Sequence, residues 1–189
     1  MSSLLDTPDI RESALRLDVD RYHRLIQFGI LPESAELLDG YVIRKLGKTP
    51  LHTWTVQFLA DWLRKAQIPD HHVRVEQPLT IAGADSEPEP DLAVVHGCRD
   101  DYRMVHPTTA ILVIEVAIST AGIDRQKARL YAKAGIPECW LVLPDERKVV
   151  IYRNPNSEAY AGSREVHSGM LSLEISKNVV LPLVDLFPE

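Results

Sequence analysis

The chain has 189 residues, 45% of them hydrophobic and 25% charged, a balance that excludes a disordered chain and suffices for a core without crosslinks. Its two cysteines, Cys98 and Cys139, exclude a cysteine zinc site and a disulfide framework. A formal net charge of −6 speaks against a bulk binder of polyanions.

No apolar run nears the ~20 residues of a membrane helix. Residues 1–12 lack the basic-then-apolar pattern of a secretory leader. With so few thiols, the expectation is a cytoplasmic protein. The length predicts one domain over residues 1–189, with residues 1–30 as an N-terminal helical segment packed on it.

Residues 18–29 predict a short helix: Asp18 can cap it, Leu25 and Phe28 lie three apart, and Gly29 can end it. Residues 36–46 predict a hairpin, because Asp39-Gly40 is a two-residue turn between the apolar arms Leu37-Leu38 and Tyr41-Val42-Ile43. Thr49 and Pro50 are a cap and a first helical residue. After them Leu51, Trp54, Thr55, Phe58, Leu59, Trp62 and Leu63 recur every three or four residues, as in an amphipathic helix. Trp54, Trp62 and Trp140 are expected in core packing, and His71-His72 on a strand-edge surface.

Residues 73–81 are extended in pattern and interrupted by Pro78; residues 83–90 form a polar turn. Residues 91–95 predict a short strand, and the near-continuous apolar run 110–117 a strand buried on both faces. A second helix is expected over about 122–134, ended by Gly135 with Pro137 beyond. Strands follow at 139–143 and 149–152, joined by the turn 144–147. Past Arg153 come short β pieces and a closing segment, 181–187. This order predicts an α/β fold: an α+β mixed sheet flanked by helices.

Three charges stand in awkward places. Glu115 is the one charge in its apolar run and shares a face with Ile111, Val113 and Ala117. An unpaired carboxylate there costs several kcal/mol unless a cation or hydrogen bonds compensate. Asp91 opens a strand straight after Pro90, which biases the chain to be extended. Lys127 falls on the apolar stripe of its helix with Ile123, Leu130, Tyr131 and Ala134, whereas Arg125, Arg129 and Lys133 fall largely elsewhere. An inward lysine either snorkels to solvent or meets an anion. The strand carrying Glu115 directly precedes this helix, so helix and sheet pack together and Lys127 can approach Glu115. Two carboxylates supply hard oxygen ligands suited to Mg²⁺ or Mn²⁺, and a lysine can orient water or offset charge growing on a phosphate.

Glu36-Leu-Leu-Asp-Gly40, Pro90-Asp91-Leu-Ala-Val-Val95, Glu115-Val-Ala-Ile-Ser-Thr120, Asp124-Arg-Gln-Lys127 with Tyr131, and Gly135-Ile-Pro-Glu-Cys-Trp140 together resemble the Uma2 family. These are restriction-type endonucleases within the PD-(D/E)XK superfamily. The resemblance runs from about Glu36 to the C-terminus. It implies a restriction-endonuclease-like core, a Mg²⁺ (or Mn²⁺) cofactor and a DNA substrate cut to leave a 5′-phosphate; a homodimer is expected because double-strand cutting often uses two copies of one site. Asp91 takes the first acidic position and Glu115 the second. The superfamily's usual lysine would lie two residues after Glu115, where this chain has Ala117; the family pattern moves it to the following helix, where Lys127 matches. The carbonyl of Val116 is a further metal ligand by analogy. Glu36 matches an upstream acid that would bind metal or water, or is simply a hairpin residue. His52 matches a family histidine, or is a helix-start residue near phosphate or solvent. Tyr131 is expected as a helix–sheet contact whose hydroxyl could reach the site. Arg44, Lys45, Lys48, Arg125 and Arg129 are the candidate phosphate contacts. Two other readings stay open: an inactive nuclease fold used for nucleic-acid binding or assembly, and a carboxylate-pair glycosidase. The lysine beside the acids disfavours both.

Overall fold

The computed structural model describes residues 9, 13–45, 47–118 and 121–187. The expected helical segment before residue 13 therefore falls almost wholly outside the described residues, as does the hairpin's last residue, Leu46. The elements in order are α1 (Val19–Gln27), β1 (Ala35–Leu38), β2 (Tyr41–Arg44), α2 (Pro50–Lys65), β3 (His71–Val75), β4 (Leu92–His96), β5 (Leu112–Val116), α3 (Ala121–Lys133), β6 (Glu138–Leu143), β7 (Lys148–Pro155), β8 (Tyr160–Val166), β9 (Met170–Ser172), β10 (Val180–Pro182) and α4 (Leu183–Leu186).

Strands β3 to β8 form one sheet in sequence order. Each neighbouring pair is antiparallel except β5–β6, which is parallel. A parallel pair needs a crossover, and α3 is that crossover. The period-2 alternation of β4 and β5 divides the core. Leu92, Val94, Leu112, Ile114 and Val116 face α2 and meet Val56, Leu59 and Leu63. Ala93, Val95 and Val113 face α3 and meet Ala128, Leu130 and Tyr131. Glu115 has the parity of Val113, so its carboxylate is sent to the α3 side.

Local chemistry fixes the elements that frame this side. Asp39 and Gly40 both have positive φ, 51° and 77°, as a two-residue primed turn requires. A side chain at Gly40 would also meet Cβ of Arg16 at 2.7 Å. The hairpin is tied to the rest by the main chain of Glu87, whose N–H donates to Leu37 O at 2.7 Å. Helix α1 is capped by Asp18, which accepts from Arg21 N. It docks through Tyr22, whose hydroxyl donates to Ala35 O, and through His23, which lies 2.6 Å from Glu87. Helix α2 starts at Pro50 with Thr49 accepting from His52 N.

Some expectations are corrected. Of the extended stretch 73–81 only the start is strand: β3 ends at Val75, and Glu76 turns the chain at φ 51°. Trp54 is not core. It is 44% exposed and stacks on Phe58, because the first turns of α2 reach past the sheet, and Leu51 is exposed beside it. Trp62 is half-buried and stacks on the fully buried Trp140. Ile123, placed by its spacing on the inward stripe, is 38% exposed at the start of α3. His71 and His72 do lie on an edge strand, and both are half-buried. At the C-terminus β9 and β10 pair, and Leu171, Leu181, Leu183, Leu186 and Phe187 close the α2 side of the core.

Candidate active site

The α3 side of the sheet opens on a cleft of about 110 Å³, between the start of β4, the end of β5, the start of α2, the hairpin and α3. Glu36, Lys45, His52, Glu89, Asp91, Glu115, Val116, Asp124 and Lys127 are among the residues on its walls.

Lys127 reaches this cleft from α3 and is only 4% exposed. Its Nζ lies 2.8 Å from Glu115 Oε1 and 3.3 Å from Glu36 Oε2, and donates to Glu89 O at 3.4 Å. Burial alone would lower its pKa, but the carboxylates of Glu115, Glu36 and Asp124 outweigh that and hold it well above the usual lysine value. The ammonium is therefore a fixed charge at neutral pH. Glu115 is 2% exposed. Burial pushes its carboxyl well above the ordinary range; Lys127 pulls it down, and Asp91 and Asp124 push it up. The hydroxyl of Tyr131 donates to Glu115 Oε1 at 2.5 Å, and burial with the Glu115 charge keeps that phenol protonated.

Asp91 sits at the mouth of β4. Its Oδ2 accepts from Val116 N at 2.7 Å, and its Oδ1 lies 3.1 Å from His52 Nε2. The first bond locks Asp91 to the end of β5, one residue past Glu115. His52 is held up in pKa chiefly by its hydrogen bond to Asp91, with burial opposing. Below about pH 6.5 the protonated imidazole adds stability, and that contribution is lost as pH rises through the elevated folded-state pKa. Proton NMR titration should find His52 above about 6.5 in the wild type and shifted down in Asp91→Asn. An identical pKa in the two proteins would show that the pair does not form in solution.

The remaining residues singled out in the sequence divide. Arg44 and Lys48 are exposed on the cleft's rim; Lys48 pairs with Glu76 at 2.5 Å and Lys45 with Glu89 at 2.6 Å. Arg125 is exposed, does not line the cleft, and faces Tyr152 and Glu146. Arg129 is exposed and also lies off the cleft. Three acids were not foreseen. Glu89 gives the cleft both its carboxylate and its carbonyl, and its N–H donates to Glu36 Oε2 at 3.1 Å. The alternation Glu87-Pro-Glu89-Pro-Asp91 could have exposed it, since an extended run sends alternate residues one way. Asp124 stands three residues before Lys127, hence on the same helix face, and is 7% exposed. Glu76 stands opposite Asp91, donating N–H to Asp91 O at 3.0 Å.

This donor set fits a hard divalent cation. Buried carboxylates outnumber the lysine that faces them, and their oxygens are the ligand type such ions take. His52, Glu76 and Asp91 also each offer one ligand atom, all within 4.8 Å of one another. Among the described residues no helix is long and apolar enough to cross a membrane.

A helix-flanked mixed sheet of this topology belongs to the restriction-endonuclease-like class. The chain is a member of the Uma2 family, described as "Putative restriction endonuclease", whose model matches residues 19–182. Its fold is similar to the crystal structure of a "putative nuclease belonging to DUF820" from Anabaena variabilis, at 20% identity and a TM-score of 0.70, over 86% of this chain and 96% of that one. No curated protein matches.

Proposed function

We propose that this protein is a divalent-metal-dependent endonuclease that hydrolyses DNA phosphodiester bonds. One observation carries the reading: the buried Lys127 ammonium, 2.8 Å from Glu115, faces a cleft that also holds Asp91. Asp91, Glu115 and the carbonyl of Val116 would hold Mg²⁺ or Mn²⁺, with Glu36 behind them. When bound, such an ion supplies Lewis acidity, making water a better nucleophile and offsetting charge on a phosphoryl oxygen.

The chain's own residues supply the rest. Lys127 presents positive charge where the phosphate becomes more negative, and it orients the water that attacks. Tyr131 and Glu36 hold Glu115 and Lys127 in place from behind. His52 fixes the orientation of Asp91 through Oδ1. Arg44, Lys45 and Lys48 stand where a phosphate backbone would cross the cleft. Lys45 and Lys48 exchange their carboxylate partners for phosphates as DNA seats, and Arg125 extends the track along α3. The acidic net charge is compatible with this because the cations are local. A homodimer acting in the cytoplasm would present two such clefts to a duplex.

A plasmid-nicking assay in Mg²⁺ or Mn²⁺ tests the proposal. The wild type should nick, and Asp91→Ala and Lys127→Ala should each lose about 10²–10³-fold in rate. Equal nicking by all three proteins would overturn it. DNA retention that needs no metal and weakens with salt, without nicking, would instead support a binding module of the same fold. Light scattering on the purified chain decides the dimer.

A further inference from the structure

A second cavity, about 490 Å³, lies along the free edge of β3, bounded by the C-terminal end of α2 and by the segment that follows β3. It shares no lining residue with the cleft. Its chemistry is the reverse of the cleft's. Arg64, His71, His72, Arg74 and Arg99 line it, with Gln67 and no carboxylate. In a chain of net charge −6, a cavity whose charged lining residues, among those described, are all arginines is a selective feature.

Arg74 is the anchor. It is 8% exposed, on an edge strand whose other four residues are half-buried. Its Nη2 donates to Pro78 O at a long 3.4 Å, and its Nε is buried with no hydrogen-bond partner. No carboxylate pairs with it among the described residues; the Tyr102 ring, 5.7 Å away, is its other polar neighbour. By contrast the exposed Arg64 and Arg99 have Asp61 and Asp100 at 3.4 Å and 3.5 Å on the solvent side. A guanidinium offers five donors in a fixed fork, and most of Arg74's go unused. Burying a cation without a counter-ion costs several kcal/mol. A tetrahedral oxyanion accepts from such a fork in pairs and supplies the missing charge.

We infer that this cavity binds a phosphate-class oxyanion on Arg74, with Arg64 and Arg99 at its mouth. The ligand is either free phosphate or a phosphate of a nucleic-acid backbone. The shared chemistry is the phosphoryl oxygens, and the site works independently of cleavage in the cleft.

The test is thermal unfolding in phosphate against chloride of equal ionic strength, and then in chloride with a short DNA duplex, both without divalent metal. Wild type should gain about 3–6 °C with ligand at roughly ten times the dissociation constant. Arg74→Met should gain nothing from phosphate and less than wild type from the duplex, which also seats in the cleft, yet be at least as stable as wild type in chloride, because it removes a cation that lacks a partner there. Gln67→Glu, an exposed position that leaves the fold intact, places a carboxylate on the wall and should by itself abolish the phosphate gain and reduce the duplex gain. A gain with phosphate assigns the free ion. A gain with duplex alone that is smaller in both variants than in wild type assigns the backbone. No gain with either ligand, or an equal gain in Arg74→Met and Gln67→Glu, would overturn the inference.

Discussion

Lys127→Met should cost about 3–5 kcal/mol of stability at pH 7 and abolish nicking, a fall of about 6–20 °C in Tm for a chain of this size. The methionine keeps the volume but removes the charge. Glu115 and Glu36, with side chains 3% and 7% exposed, then face each other without the ammonium that now lies 2.8 Å and 3.3 Å from them. Two further readouts separate this from a generic core lesion. The first is pH. Without Lys127 the Glu115 carboxyl rises further, so folding favours its protonated form. That stabilisation is fully present below the unfolded-state value of about 4.3 and is lost as pH rises through the elevated one. The deficit against wild type should therefore shrink on acidification. The second is cation linkage: Mg²⁺ or Mn²⁺ should raise the Tm of Lys127→Met more than that of wild type, because the ion supplies the missing charge. A variant as stable as wild type, and indifferent to both pH and metal, would refute the account of the cleft.

The sequence made this arrangement partly legible, and the reason is periodicity. The inward turn of Lys127 follows from its spacing to Leu130 and Tyr131, both buried. The burial of Glu115 follows from the apolar run around it. The hairpin follows from two residues that tolerate positive φ. These are local signals, each contained within one element. What stayed hidden is what depends on register between elements. Glu76 joins Asp91 because Val75 stands opposite Leu92 in the β3–β4 ladder, and nothing within either strand states that pairing. Glu89 acts partly through its carbonyl, which its side-chain type does not encode. Trp54 misleads for a related reason. Its spacing matches a core stripe, but the buried stripe of α2 is Val56, Leu59, Ala60 and Leu63, rotated from it, and only packing against the sheet selects between them. The strand β8 carries Gly162, Ser163, Arg164 and Glu165 and has little apolar alternation to read, since it is the outermost strand of the six described in its sheet.

A buried carboxylate outside the cleft's walls shows why pairing alone does not make an active site. Glu138, 1% exposed, opens β6. Its Oε1 accepts from Trp140 Nε1 at 2.8 Å and from Arg153 Nη2 at 2.7 Å and Nε at 3.1 Å; its Oε2 accepts from Glu174 N at 2.8 Å. Both oxygens are used, and the charge is matched by the Arg153 guanidinium, which Glu174 Oε2 also meets at 3.1 Å. Glu138→Ala should therefore cost about 3–5 kcal/mol, leaving the half-buried Arg153 with the exposed Glu174 as its remaining counter-ion and an indole N–H without its acceptor. Trp140 stacks on Trp62 with ring centroids 5.9 Å apart, so intrinsic fluorescence should report the loss directly. Glu138→Gln keeps the shape and one accepting oxygen but turns an amide toward the N–H of Glu174, and should cost about 1–3 kcal/mol. Neither variant should change metal affinity or nicking by the fraction that remains folded. The β5–β6 register sets Glu138 opposite Leu112 and Leu141 opposite Glu115, which separates the two carboxylates by about three strand residues, roughly 10 Å. Loss of Mn²⁺ binding in folded Glu138→Gln would mean that the two carboxylates form one coupled unit, and that the cleft's charge is set by more than Lys127 and the acids around it.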